Sequence, residues 1–215
     1  MKKAVLWDMD GTLVDSEEYH WRSWRDTMAG EGVKLAYAEF KATFGQRNDS
    51  ILRRWLGDDL DPARMQRIGD AKEELYRQLV RSGGLAPLPG AAEWVKRLHE
   101  EGWAQAVASS APRANIECVL DVIGLKADFH ATVSAEDVQR GKPDPQVFLT
   151  AASRLGVPPE RSIVVEDAPF GIEAARRAGM RNIAVTRDGT GFHADILVPS
   201  LADLSPDAFS RLIEG

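Results

Sequence analysis

The sequence predicts an α/β protein, a parallel sheet covered by helices, with a helical insertion after its first strand. Three observations carry this expectation. Apolar runs alternate with segments of helical periodicity, the pattern of strands joined by helical crossovers. The stretch 15–81 has helical periodicity, many charges, three of the six tryptophans and no convincing strand. Glycines also stand where the helices between strands should stop.

Taken in order, Ala4-Val5-Leu6-Trp7 reads as a buried strand within 3–8. Val14-Asp15-Ser16 then leads into the insertion, which is left through Ser82-Gly83-Gly84, whose glycines tolerate backbone rotation. This divides the chain into an α/β core, 1–14 and 82–215, and a helical cap, 15–81. Helices follow at 90–101, 112–124, 144–156 and 168–179, ending near Gly102, Gly124, Gly156 and Gly179. Strands fall at 103–108, 129–133, 162–166 and 182–186. Right-handed crossovers distribute the helices over both faces of the sheet.

A chain of 215 residues can build one full α/β domain with a smaller appendage. With 28% charged and 44% apolar residues it is neither disordered nor fibrous in composition. The net charge of -6 argues against nonspecific nucleic-acid binding. No apolar stretch approaches a membrane span, and Met1-Lys2-Lys3 leads into a strand instead of a signal-peptide core, so cytoplasmic residence is expected. Cys118 is the single cysteine, on an expected helix, and reads as a small core residue. A monomer or weak dimer is expected.

Chemistry concentrates at the strand ends. In open α/β sheets the ligand crevice lies beyond the carboxyl ends of the strands, so Asp8 and Asp10 should face it. Ser109 ends the second strand in Val107-Ala108-Ser109-Ser110. Lys142 stands in Arg140-Gly141-Lys142-Pro143-Asp144-Pro145, and Glu166-Asp167 follow Ile163-Val164-Val165. Each has a plainer reading alone: an Asp-x-Asp-Gly turn, a strand-end hydroxyl, a solvated lysine, a helix N-cap. A calcium loop is excluded, since its glycine belongs at position six with further oxygens at five and twelve. Together, the four strand ends supply what one site needs.

The segment Asp8-Met9-Asp10-Gly11-Thr12-Leu13-Val14-Asp15-Ser16-Glu17 resembles the first motif of the haloacid dehalogenase superfamily, and the other three segments match its later motifs in order. Within the superfamily the chain is most similar to the β-phosphoglucomutase-like branch. The resemblance implies a Rossmann-like parallel sheet with an inserted helical cap, and phosphoryl transfer through an aspartyl-phosphate.

The residue chemistry agrees. Phosphoryl transfer needs an in-line nucleophile, charge neutralisation and a proton for the leaving group. Asp8 is the expected nucleophile. A hard divalent ion, Mg²⁺, is expected on Asp8, the Asp10 backbone carbonyl, Glu166 and Asp167. Lys142 adds positive charge, while the Ser109 hydroxyl and turn amides near Gly11 and Thr12 can donate to phosphate. Asp10 is left to handle protons, with a raised pKa if other carboxylates crowd it.

In the cap, His20 and Trp24 are four apart and share a helix face. Gly45-Gln46-Arg47-Asn48 is a glycine loop before a helix, and Arg47 resembles the mutase arginine that holds a distal phosphate. Lys72 falls near where mutases carry a lysine paired with a histidine at the position of His20. After Ser109, however, mutases present a further serine, lysine and asparagine, whereas this chain has Ser110-Ala111-Pro112-Arg113. That turn is more similar to the phosphatases of the branch. The expected function is therefore a Mg²⁺-dependent phosphatase of a small phosphorylated metabolite such as a sugar phosphate, with Ser110 among the substrate-binding residues. A β-phosphoglucomutase-type isomerase is the alternative. Lys34, Lys41 and Lys72 carry no mark of a Schiff-base lysine. Gly189-Thr190-Gly191 lacks the third glycine and the helix of a dinucleotide site, so no such cofactor is expected.

Overall fold

The computed structural model describes residues 2–186 and 192–214; Gly189-Thr190-Gly191 lies outside them. Six parallel strands form one sheet: β1 (Ala4–Trp7), β2 (Ala104–Ala108), β3 (Ala131–Val133), β4 (Ser162–Glu166), β5 (Arg181–Val185) and β6 (Ile196–Val198). Their order is β3-β2-β1-β4-β5-β6. The connection leaves β1 toward β2 and later returns to β4 on its other side, the strand-order reversal that opens a crevice at the carboxyl edge.

Helices α1 (Glu17–Gly30), α2 (Tyr37–Lys41), α3 (Asn48–Leu56) and α4 (Pro62–Gly83) lie between β1 and the rest of the sheet. The core helices are α5 (Ala91–Glu100), α6 (Arg113–Ile123), α7 (Gln146–Leu155), α8 (Pro169–Arg177) and α9 (Ala208–Glu214). Local sequence explains the α4 start: Asp61 accepts the Arg64 N–H at 2.9 Å and Pro62 follows at the first helical position. Gly102, Gly124, Gly156 and Gly179 follow the ends of α5, α6, α7 and α8 with positive φ.

Although β1 is buried throughout, its side chains still sort by parity. Ala4 and Leu6, with Ala104, Ala106 and Ala108, pack under α7 and α8. Val5 and Trp7, with Val107, Ile163 and Val165, meet α5, α6 and α9 on the opposite face. The small residues of the first set let α7 and α8 approach the sheet; the second face takes the bulk. Cys118 sits in that larger cluster. Trp7 Nε1 donates to buried Gln105 Oε1 at 2.9 Å, so the indole is satisfied inside the core.

The cap helices enclose an apolar cluster of their own, with Trp24, Met28, Phe40, Leu52 and Ile68. Tyr76 and Val80, from the last turns of α4, belong instead to the cluster of the sheet. Gly83 is the last residue of α4, so the positive-φ residue at which the helix stops is Gly84 (φ 72°). Strand β6 and helix α9 were not read from the sequence: β6 is three residues at the sheet edge with no fully buried side chain, and α9 has seven residues.

Candidate functional site

Strand register brings the chemistry together. Trp7 is level with Val107 of β2 and Val165 of β4, so the next residue out on β1, Asp8, stands beside the ends of both. The Asp8 N–H donates to Val165 O at 2.9 Å, extending the β1–β4 ladder by one step. Glu166 ends β4, and Ser109 follows β2. Oxygens of Asp8, Glu166 and Asp167 all lie within 4.8 Å of one another. Lys142, behind the cis Lys142-Pro143 bond, donates to Asp8 Oδ1 at 2.5 Å and to Glu166 Oε2 at 2.6 Å.

Close approach in this cluster depends on two glycines. A Cβ on Gly11, at φ +91°, would sit 2.1 Å from Asp167 Oδ2, and one on Gly171 would sit 2.0 Å from the Glu166 carboxyl carbon. Gly171 was not picked out by the sequence, because its purpose is to leave room for a side chain five residues earlier.

Electrostatics follow from burial and like charge. Asp8 is raised to about 8 by burial and by Glu166, against the opposing pull of Lys142. Asp167 is pushed well up by burial, then by Glu166 and Asp8. Burial alone would lower Lys142, but Asp8 and Glu166 hold it above its ordinary value. Three clustered carboxylates facing one ammonium group are an anionic, all-oxygen donor set, which fits a hard divalent cation such as Mg²⁺.

Asp10 differs from expectation. Burial pushes it up, but the His20 ring and the Ser16 hydroxyl outweigh burial, and its carboxyl is held below the usual range. The cause is orientation: its Oδ1 accepts from Ser16 Oγ at 2.5 Å and faces His20 Nε2 at 3.3 Å, while the crowding carboxylates surround Asp8. The Gly11 N–H is also not free for phosphate, since it donates to Val14 O at 2.8 Å. Thr12 is fully buried, its hydroxyl 3.5 Å from Asp167 Oδ1. Neither Gly11 nor Thr12 lines the cavity.

That cavity, about 430 Å³, lies between the sheet edge and the cap. Asp8, Asp10, Ser109, Ser110, Lys142, Glu166 and Asp167 line its floor; His20, Gly45, Arg47 and Lys72 line its cap side with Trp24, Phe40 and Phe44. Ser109 is buried, its Oγ accepting the Ala111 N–H at 3.1 Å. Lys72 is not a solvated lysine: it is 1% exposed and its Nζ lies 2.9 Å from both His20 Nδ1 and Glu73 Oε1. The Arg47 guanidinium donates across the cleft to the carbonyls of Ala135 at 2.9 Å and Val138 at 3.4 Å.

Ser16 and Glu73 were missed by sequence reading. Ile68, Lys72, Tyr76 and Val80 recur at helical spacing, however, and a charged residue on that stripe was the available signal for a buried pair.

The fold and site define a capped α/β enzyme with a carboxylate-rich centre at the strand ends. The family model of haloacid dehalogenase-like hydrolases matches residues 2–179, and the chain belongs to that family. Hexitol phosphatase B of Escherichia coli (strain K12) is 34% identical, covering 94% of each chain. The β-phosphoglucomutase of Bacillus subtilis (strain 168) is 31% identical over 94% of this chain and 92% of its own. The crystal structure of CbbY from Rhodobacter sphaeroides in complex with phosphate superposes with a TM-score of 0.88 at 30% identity, covering 95% of this chain and 97% of that one. Among the described residues, no helix is long and apolar enough to cross a membrane.

Proposed function

We propose that the chain is a phosphatase of a small phosphorylated metabolite, of the sugar-phosphate or hexitol-phosphate class, working through an aspartyl-phosphate on Asp8. In this reading an Asp8 oxygen attacks phosphorus in line while the leaving oxygen departs. Lys142 balances charge on Asp8 and the phosphoryl oxygens, and the Ser109 hydroxyl orients the phosphate. Both bonds to Asp10 fall on Oδ1, leaving Oδ2 to relay a proton. Charged at rest because its carboxyl is held down, Asp10 takes the proton of the bound phosphate monoanion, gives it to the leaving oxygen and then takes one from the attacking water. Asp8, Glu166, Asp167 and the Asp10 carbonyl are the proposed holders of Mg²⁺, which when bound supplies charge neutralisation to the transferring group. Residues 15–81 act as the cap that covers the cleft.

The observation that favours water over a sugar hydroxyl as acceptor is Arg47. Its guanidinium has protein partners of its own across the cleft, the Ala135 and Val138 carbonyls, and the turn after Ser109 reads Ser110-Ala111-Pro112-Arg113 where mutases present a serine, lysine and asparagine. A mutase reading draws on the His20–Lys72 pair at 2.9 Å, which lies where the resemblance puts the mutase pair. Phosphorus NMR of β-glucose 1-phosphate with enzyme, Mg²⁺ and a trace of glucose 1,6-bisphosphate separates the two. Free phosphate is expected; accumulation of the 6-phosphate with little free phosphate would overturn the phosphatase reading.

A further inference from the structure

Behind Asp10 runs a chain of buried polar groups whose far end has no part in the steps above. Glu73, on α4, is 5% exposed. Its Oε1 accepts from Asn48 Nδ2 at 2.6 Å and Lys72 Nζ at 2.9 Å, and its Oε2 accepts from Asn115 Nδ2 at 2.5 Å. A buried carboxylate is costly unless donors satisfy it; these come from α3, α4 and α6. Arg77 donates to Asn115 Oδ1 at 2.9 Å, which turns the amide nitrogen of Asn115 toward Glu73.

Lys72 passes this order on. An ammonium group has donors only, so His20 Nδ1, 2.9 Å from Lys72 Nζ, must carry the lone pair. The ring hydrogen then sits on Nε2, 3.3 Å from Asp10 Oδ1.

We propose that Glu73 is a positioning residue: by accepting from Lys72 Nζ it aims that ammonium group at His20 Nδ1, sets the direction of the His20 hydrogen bonds and so fixes Asp10 with Oδ2 toward the reacting oxygen. This rests on the phosphatase reading and on Asp10 as its proton-transfer group. The partners of Glu73 come from both sides of the cleft, Asn48 and Lys72 from the cap and Asn115 from core helix α6. Proton transfer is thereby tied to the seating of the cap on the core.

The test is a series of substituted phenyl phosphates, because a proton donor matters most when the leaving oxygen is basic. With wild-type enzyme, kcat/KM should depend weakly on the leaving group. Glu73→Gln should keep 4-nitrophenyl phosphate within about threefold of wild type and lose about tenfold or more on phenyl phosphate, the size of a weakened acid–base contribution. Asn115→Ala, which does not line the cavity and meets the relay through Glu73, should steepen the dependence in the same direction by less. If Glu73→Gln does not fold, the slope for Asn115→Ala decides. A uniform loss across the series, or an unchanged slope in the variants, overturns the role of Glu73. A wild-type enzyme that hydrolyses no member of the series overturns the phosphatase reading itself, and this inference with it.

Discussion

In metal-free protein, Asp8→Asn should remove turnover yet raise the melting temperature. Asp8 is buried with Glu166 and Asp167, and among the described residues only Lys142 balances them; burial first and Glu166 next lift its carboxyl from 3.8 to about 8. A group with a raised folded-state pKa favours folding fully below its unfolded value and loses that contribution as pH rises through the folded one. At pH 8 the Asp8 lift opposes folding by about 5 kcal/mol. The pull of Lys142 is already inside that lift, so Asn, which cannot ionise, escapes the cost; with somewhat under half of it recovered, the net gain is ~2 kcal/mol. For a chain of this length that is roughly 4–8 °C. The assay is thermal denaturation followed by circular dichroism in EDTA, with the difference absent near pH 4, growing up to about pH 8, level above it, and reduced by saturating Mg²⁺. An Asp8→Asn melting temperature at or below wild type in EDTA at pH 8 would refute the reasoning.

Mg²⁺ affinity should fall about tenfold between pH 9 and pH 7, because Asp8, at about 8, must lose its proton to bind; calorimetry in two buffers of different ionisation enthalpy should show proton release. Gly171→Ala places a Cβ against the Glu166 carboxyl, and titration with Mg²⁺ should show affinity reduced by roughly 10–100-fold. Trp7→Phe strips the donor from buried Gln105 and should lower stability by about 1–3 kcal/mol in urea denaturation while kcat stays unchanged; a fall in kcat would give Trp7 a part in catalysis.

The sheet was legible because β1, β2 and β4 are apolar runs buried on both faces, and each ends in a residue whose chemistry is useless in a core. Asp8, Ser109 and Glu166 could be placed at one edge from that pattern alone. Edge strand β6 could not, since an alternation over Ile196, Leu197 and Val198 is too short to register. The direction of the Asp10 shift was misread for a different reason. Sequence proximity put Asp10 among carboxylates, whereas Ser16 and His20, reached by the chain turning into α1, occupy its Oδ1. Lys72 and Glu73 are adjacent charges on a helix, and only the arrival of Asn48 and Asn115 from other elements makes them a buried pair.

The account turns on Asp8 carrying the phosphoryl group. Enzyme quenched in acid during turnover of a phosphorylated substrate, reduced with borohydride and digested for peptide mass spectrometry, reads this directly. Conversion of Asp8 to homoserine, absent in Asp10→Asn enzyme incubated without substrate, is the predicted result. An unmodified Asp8 during turnover, or a phosphoryl group on any other side chain, would contradict it.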